Sequence, residues 1–305
     1  MEGLTDYINR NDMKIIFYDV EHGSCTHIIT PNNKHILVDV GSKSDKSVVD
    51  YICAKYFHGR NASIDALIIT HPHEDHIYDL PNLYQRLKPK ILYRPKAAFD
   101  IAPATKTPLH VNIADRANDM NATYNSPVPE EDNIENPVNM GGVIIKIIPS
   151  IANLQDKEDM NTYSFLVVVE YEGYKFILTG DNPRNHLQYM VNTNYKNVNN
   201  LVANATILLA PHHGRTGEFC KTFFDCVNPI LTVISDKSIE HATQEESSNI
   251  YKGRGAELYG KMRYVLTTRN DGDIAFNVSN GNCTVSINEE DYWNGNKNIY
   301  IWFFE

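Results

Sequence analysis

The chain has 305 residues, 42% of them hydrophobic and 22% charged, which is enough to bury a large core. No stretch approaches the about eighteen apolar residues of a membrane span, and the first residues lack the basic-then-apolar pattern of a secretory signal, so a cytoplasmic protein with no membrane partner is expected. The net charge of −10 argues against a broad nucleic-acid-binding face, and five scattered cysteines (Cys25, Cys53, Cys220, Cys226, Cys283) read as reduced core residues.

In chain order, Lys14–Tyr18 and His35–Asp39 have the composition of strands, the second ending in the turn signal Val40-Gly41-Ser42. Ser47 is a helix cap before Val48, with the helix running towards Tyr56. Ala66–Thr70 is a buried strand, Asp79–Leu87 a short helix and Ile91–Tyr93 another strand. Residues 98–139 are rich in Asn, Asp and Pro and read as an irregular or partly helical insertion, placed to cover a site. Strands resume at Val143–Ile148, then Phe165–Glu170 and Lys175–Thr179 joined by a hairpin turn at Tyr171–Tyr174. Asn182–Val191 is helical, and Thr206–Leu209 and Ile230–Ile234 are buried strands. Tyr264–Thr267, Ile274–Val278, Thr284–Ile287 and an aromatic run, Ile299–Phe304, complete the strands. Two blocks of strands, each followed by helices, predict an α/β protein: one αββα sandwich over residues 1–305, with two mixed β-sheets face to face and helices outside.

The most specific motif is His71-Pro72-His73-Glu74-Asp75-His76, directly after the Ala66–Thr70 strand. His71 and His73 can point two nitrogens at one divalent ion, while Asp75 and His76 turn the other way and can serve a second. Asp181 follows the Lys175–Thr179 strand and Gly180, where a carboxylate on a tight turn can bridge two ions. His212-His213-Gly214 leaves the Thr206–Leu209 strand, so that one imidazole can complete the second ion's shell and the other can face a substrate. His22 and His241 lie where loops can reach the pocket and are candidates for substrate contact.

This order of motifs resembles the metallo-β-lactamase-fold hydrolases, and within them the soluble hydrolase domain of the competence protein ComEC. Asp19-Val20-Glu21-His22-Gly23 stands where that branch has Asp-Val-Gly-Gln-Gly, Asp39-Val40-Gly41 matches its Asp-x-Gly, and Asn161-Thr162-Tyr163-Ser164 its Asn-x-x-Ser. The resemblance implies the metallo-β-lactamase fold, with His71 and His73 on the first metal, Asp75, His76 and His213 on the second, and Asp181 between them. His212 then faces the scissile group, Asp75 also orients the attacking oxygen, and Asn161 and Ser164 become candidate substrate contacts. Asp39 is expected to brace the site. Many relatives carry a further histidine on the first metal, whereas between Ile77 and Arg184 this chain has only His110, inside the insertion.

The expected chemistry is hydrolysis by water that two divalent ions acidify, zinc foremost, with manganese or iron(II) as alternatives. The expected substrate is an anionic phosphodiester, in nucleic acid or a nucleotide. Hydrolysis of a small ester, lactone or thioester is the second reading. A non-catalytic component of a larger assembly, with a protein partner or a second copy of the chain, is the third.

Overall fold

The computed structural model describes residues 12–101, 110–237, 242–258, 260–287 and 301–302. In chain order β1 (Met13–Phe17), β2 (Thr26–Ile29), β3 (His35–Val38), β4 (Ala62–Ile68) and β5 (Leu87–Tyr93) open the first sheet. The second sheet takes β6 (Ile144–Ile148), β7 (Leu166–Tyr171), β8 (Tyr174–Leu178), β9 (Ile207–Leu209) and β10 (Leu231–Ile234). A small hairpin, β11 (Ala256–Leu258) and β12 (Lys261–Arg263), precedes β13 (Val265–Thr267), which joins the second sheet. Finally β14 (Ile274–Ser279), β15 (Asn282–Ile287) and β16 (Ile301–Trp302) return to the first, whose order is β16-β15-β14-β1-β2-β3-β4-β5. The second runs β13-β10-β9-β8-β7-β6. Both sheets are mixed: β3, β4 and β5 are parallel, as are β8, β9, β10 and β13, and the other pairs are antiparallel.

The period-two alternation of each strand decides the layers. Met13, Ile15 and Phe17, with Ile36, Val38, Ala66 and Ile68, face Val167, Val169, Phe176, Leu178 and Val233 in the core between the sheets. The intervening residues are also apolar: Ile16, Leu37 and Leu67 pack on outer helices through Val49, Ile52, Leu80 and Leu83. On the far side Val168, Ile177 and Leu208 meet Leu187, Met190, Val202 and Phe223. Strands buried on both faces read as continuous apolar runs, and this αββα arrangement is the one expected.

Helix Val48–Tyr56 begins as expected, with Ser47 Oγ accepting from the Asp50 amide at 2.9 Å. The described part of the insertion is more regular than its composition suggests. It includes a helix, Val111–Thr123, whose Ile113, Ala117 and Met120 pack into the cluster that also holds Leu80 and Leu83. This helix therefore covers the outer layer, and His110 at its start reaches the cavity described below. Strand β2 and the helices Lys221–Val227 and Ala242–Ile250 were not anticipated. Among the described residues no helix is long and apolar enough to cross a membrane.

Candidate metal centre

The carboxyl ends of β1, β3, β4, β8, β9, β10 and β13 point the same way, and each releases a polar loop there. The His71–His76 motif leaves β4, and its short helix, Glu74–Ile77, carries Asp75 and His76, with the His76 ring 4.2 Å from that of His71. The loops after β1 and β3 clamp its backbone: Ser24 N donates to Asp75 O at 3.2 Å and Val40 N to His76 O at 2.8 Å. A Cβ at Gly41 would overlap the Asp75 carbonyl oxygen. Gly180, at φ +53°, lets the loop after β8 press against Thr70 and present Asp181 to the motif.

Three overlapping donor sets result, each with its ligand atoms within 4.8 Å of one another: His71, His73 and Asp181; His76, Asp181 and His213; His22, Asp75 and His213. Asp181 is common to the first two. Its Oδ2 lies 3.8 Å from His71 Nε2 and 3.7 Å from His213 Nε2, and its Oδ1 lies 3.2 Å from His76 Nε2. Asp75 Oδ2 is 3.2 Å from His213 Nε2. His71 Nε2 and His73 Nδ1 are 3.1 Å apart. His212 Nε2 reaches to 3.6 Å from Asp181 Oδ2 at the cavity wall.

The rings are oriented from behind. Asp39 Oδ2 is 2.7 Å from His76 Nδ1, and the same carboxylate accepts from Thr70 N and Oγ1 at 2.7 and 2.8 Å. His213 Nδ1 donates to Ser235 O at 3.1 Å. Both histidines thereby turn Nε2 to the centre, the arrangement in which an outer hydrogen bond fixes a metal-binding tautomer. Asp39, His212 and His213 all hold left-handed backbone, at φ of 58°, 50° and 54°, at a cost of about 1–3 kcal/mol each.

His76 Nε2, His213 Nε2 and Asn161 Oδ1 are buried without a hydrogen bond of good geometry among the described residues. Orphaned donor atoms converging on two carboxylates fit divalent ions with nitrogen and oxygen ligands. Burial lowers the pKa of His71 and His73, with the His76 charge adding to it at His71. Burial acts the same way on His76 and His213, but nearby carboxylates win: Asp181 and Asp39 raise His76, and Asp181 and Asp75 raise His213. Asp75 is itself held below the usual carboxylate range, because the close approach of His213 Nε2 and the His76 charge outweigh its burial.

Above the donors opens a cavity of about 620 Å³, lined among others by His22, Asn161, His212, Arg215 and Lys237. His71, His73, Asp75, His76, Asp181, His212 and His213 are thus gathered in one place, with His22 and Asn161 beside them. Ser164, expected at the substrate, is fully buried and does not line the cavity; its carbonyl accepts from Asn182 Nδ2 at 3.2 Å. The turn Met160–Tyr163 separates the two: Asn161 lines the cavity, and Ser164 closes the turn by donating its N–H to Asn161 O at 3.0 Å. His241 lies outside the described residues. Sequence reading missed Asp236, Arg269, Arg215 and Lys237. Asp236 carried a usable signal, since it follows a buried strand just as Asp181 does.

A model of the metallo-beta-lactamase superfamily (Lactamase_B) matches residues 18–218, more than half of the chain. No curated protein matches. Among solved structures the chain is similar to YhfI from Bacillus subtilis, a metallo-beta-lactamase fold protein, at 12% identity over 88% of this chain and 100% of that one, with a TM-score of 0.48. It is similar to CmlA, a diiron beta-hydroxylase from Streptomyces venezuelae, at 13% identity over 77% and 50% of the two chains, with a TM-score of 0.43. For a long form RNase Z from yeast the identity is 10%, the coverage 87% and 42%, and the TM-score 0.42. By the family match over β2 to β9 and their connecting loops, with the αββα layers and the strand-end donors, the chain belongs to the metallo-β-lactamase superfamily.

Proposed function

We propose that the chain is a metal-dependent phosphodiesterase acting on nucleic acid or a nucleotide. The observation that carries this reading is the cavity, where Arg215 and Lys237 stand in the same wall as the donor cluster. Two cations in the lining of a cavity that otherwise carries carboxylates, on a chain of net charge −10, suit the non-bridging oxygens of an anionic phosphodiester. The likeness of the Asp19–Gly23, Asp39–Gly41 and Asn161–Ser164 segments to the competence-protein branch supports the same substrate class.

His71, His73 and Asp181 would hold a first ion and Asp75, His76, Asp181 and His213 a second, with zinc the leading candidate and manganese or iron(II) the others. When bound, such ions supply Lewis acidity and a nucleophilic water near neutral pH. The chain's own residues do the rest. Asp75, fixed through its backbone by Ser24, orients the attacking oxygen. His212 is placed at the cavity wall to donate a hydrogen bond to a non-bridging oxygen or a proton to the leaving group. Arg215 and Lys237 hold the phosphate. Nucleic-acid affinity beyond the cavity would come from a protein partner or a second copy of the chain. We take residues 1–305 as one domain, a reading supported by the return of β14 and β15 to the sheet that β1 opens.

The test uses protein stripped with a chelator and reloaded with zinc or manganese. It compares hydrolysis of bis-p-nitrophenyl phosphate with that of p-nitrophenyl acetate, in wild type, Asp75→Ala and His76→Ala. Phosphodiester cleavage lost in both variants is expected. Preference for the acetate supports the ester reading, and metal binding without cleavage of either supports the non-catalytic one.

A further inference from the structure

We infer that His22 is a metal ligand of the Asp75 half of the centre, held in its binding orientation by a buried Asp236–Arg269 ion pair. The inference rests on the metal-site reading above and adds a residue to it. His22 comes from the loop after β1, far in sequence from the other donors, yet its Nε2 lies 3.6 Å from Asp75 Oδ2. Its ring sits 4.5 Å from that of His213, and with Asp75 and His213 it forms a donor set within 4.8 Å.

The other ring nitrogen shows why this is more than proximity. His22 Nδ1 faces Asp236 Oδ1 at 3.7 Å, and Asp236 Oδ2 accepts from Arg269 Nη1 at 3.1 Å. Asp236 and Arg269 are 6% and 5% exposed, whereas His22 is 37% exposed at the cavity. Thr268 Oγ1 accepts from the Asp236 amide at 3.1 Å, so the carboxylate's position is set by the end of β13. A buried carboxylate behind one imidazole nitrogen favours the proton there and leaves Nε2 with its lone pair towards Asp75. Arg269 takes Oδ2, while Oδ1, which also accepts from the Lys237 amide at 2.9 Å, is the oxygen that faces the ring.

The Asp75 half would then offer three imidazoles (His22, His76, His213) and two carboxylates (Asp75, Asp181), a mixed set that suits zinc, iron(II) or manganese. The other half offers two imidazoles and a share of Asp181. The two should therefore differ in affinity, with the Asp75 half the tighter.

The experiment measures metal affinity by competition with a chromophoric chelator, and the visible spectrum of the cobalt(II)-loaded protein, for wild type, His22→Gln and Asp236→Asn. Thermal melts confirm folding. Asp236→Asn is expected to weaken the tighter site by about 10–100-fold. His22→Gln should weaken it at least as much and change the cobalt spectrum. Unchanged affinity and spectrum in a folded His22→Gln protein would overturn the inference, even if turnover fell, since His22 would then act on substrate. Wild type that binds no metal at all would overturn both this inference and the metal-site reading.

Discussion

Around Asp75 the imidazoles of His76 and His213 each have two carboxylates beside them, whereas His71 has Asp181 and lies mainly against the rings of His73 and His76. Asp39 and Asp181 flank His76, and Asp75 and Asp181 approach His213. On the other side His71 Nε2 meets His73 Nδ1 at 3.1 Å and reaches Asp181 only at 3.8 Å. The proton affinities follow: burial wins at His71 and His73, and the carboxylates win at His76 and His213. The same residue type is thus prepared differently by what stands behind it. One half is charge-matched to a cation in advance, and the other gains most of its attraction through the shared Asp181.

The substitution with the largest expected effect removes that shared residue. Asp181→Ala should empty both halves and bring hydrolysis to background, as read by metal analysis after gel filtration. A variant that kept one full equivalent of metal would break the comparison by showing the halves to be independent. Next come paired substitutions. His76→Ala should abolish the tighter binding event, while His73→Ala should leave it and remove only the weaker, as titration calorimetry would resolve. Asp39→Asn takes away the brace behind His76 and should cost about 10–100-fold in affinity, confined to the tighter event.

A histidine pair outside the centre sharpens the contrast. His27 Nε2 and His35 Nδ1 are 3.0 Å apart, and Tyr18 Oη is 3.1 Å from His27 Nδ1. Tyr56 packs on both rings, Phe57 lies against His35, and Lys14 and Lys55 act on His27. Burial lowers His35 from 6.5 to about 4, against a weaker opposing pull from Asp65, and also lowers His27. The nearby carboxylate, Asp65, is bonded to the His35 amide, Lys34 and Lys90 rather than to either ring, so this pair should contribute to packing alone. Because the unfolded chain takes up protons near pH 6.5 and the folded one does not until about pH 4, stability is full above pH 7 and falls as pH drops through that window. His35 should account for about 2 kcal/mol of loss by pH 5. Urea unfolding of wild type and His35→Gln at pH 7.5 and 5 checks this; equal acid sensitivity would contradict it. The smallest change is expected from Asn161→His, which offers the first half another imidazole and should tighten only the weaker binding event.

The parts of the site that sequence revealed are local: the His71–His76 motif, Gly180-Asp181 and His212-His213-Gly214 each sit within a few residues of a strand end. The αββα layers were legible for a similar reason, since strands apolar on both faces must be covered twice. Asp236 could be suspected from its place after a buried strand, but its pairing with Arg269 could not, because that is a buried contact across 33 residues. Helix Val111–Thr123 was hidden by its Asn- and Asp-rich exposed face, with Ile113, Ala117 and Met120 too sparse a stripe to outweigh it. Strand β2 is four residues long and carries His27, whose partner His35 only the fold supplies.

The central claim is that two unequal halves make one centre. The most direct test is stepwise zinc titration of chelator-stripped wild type, followed by competition and by mass spectrometry of the native protein. Two ions per chain, with the first bound clearly more tightly than the second and lost on His76→Ala but not on His73→Ala, is the predicted result. Two ions of equal affinity, or a tighter ion that survives His76→Ala and is lost on His73→Ala, would contradict the account.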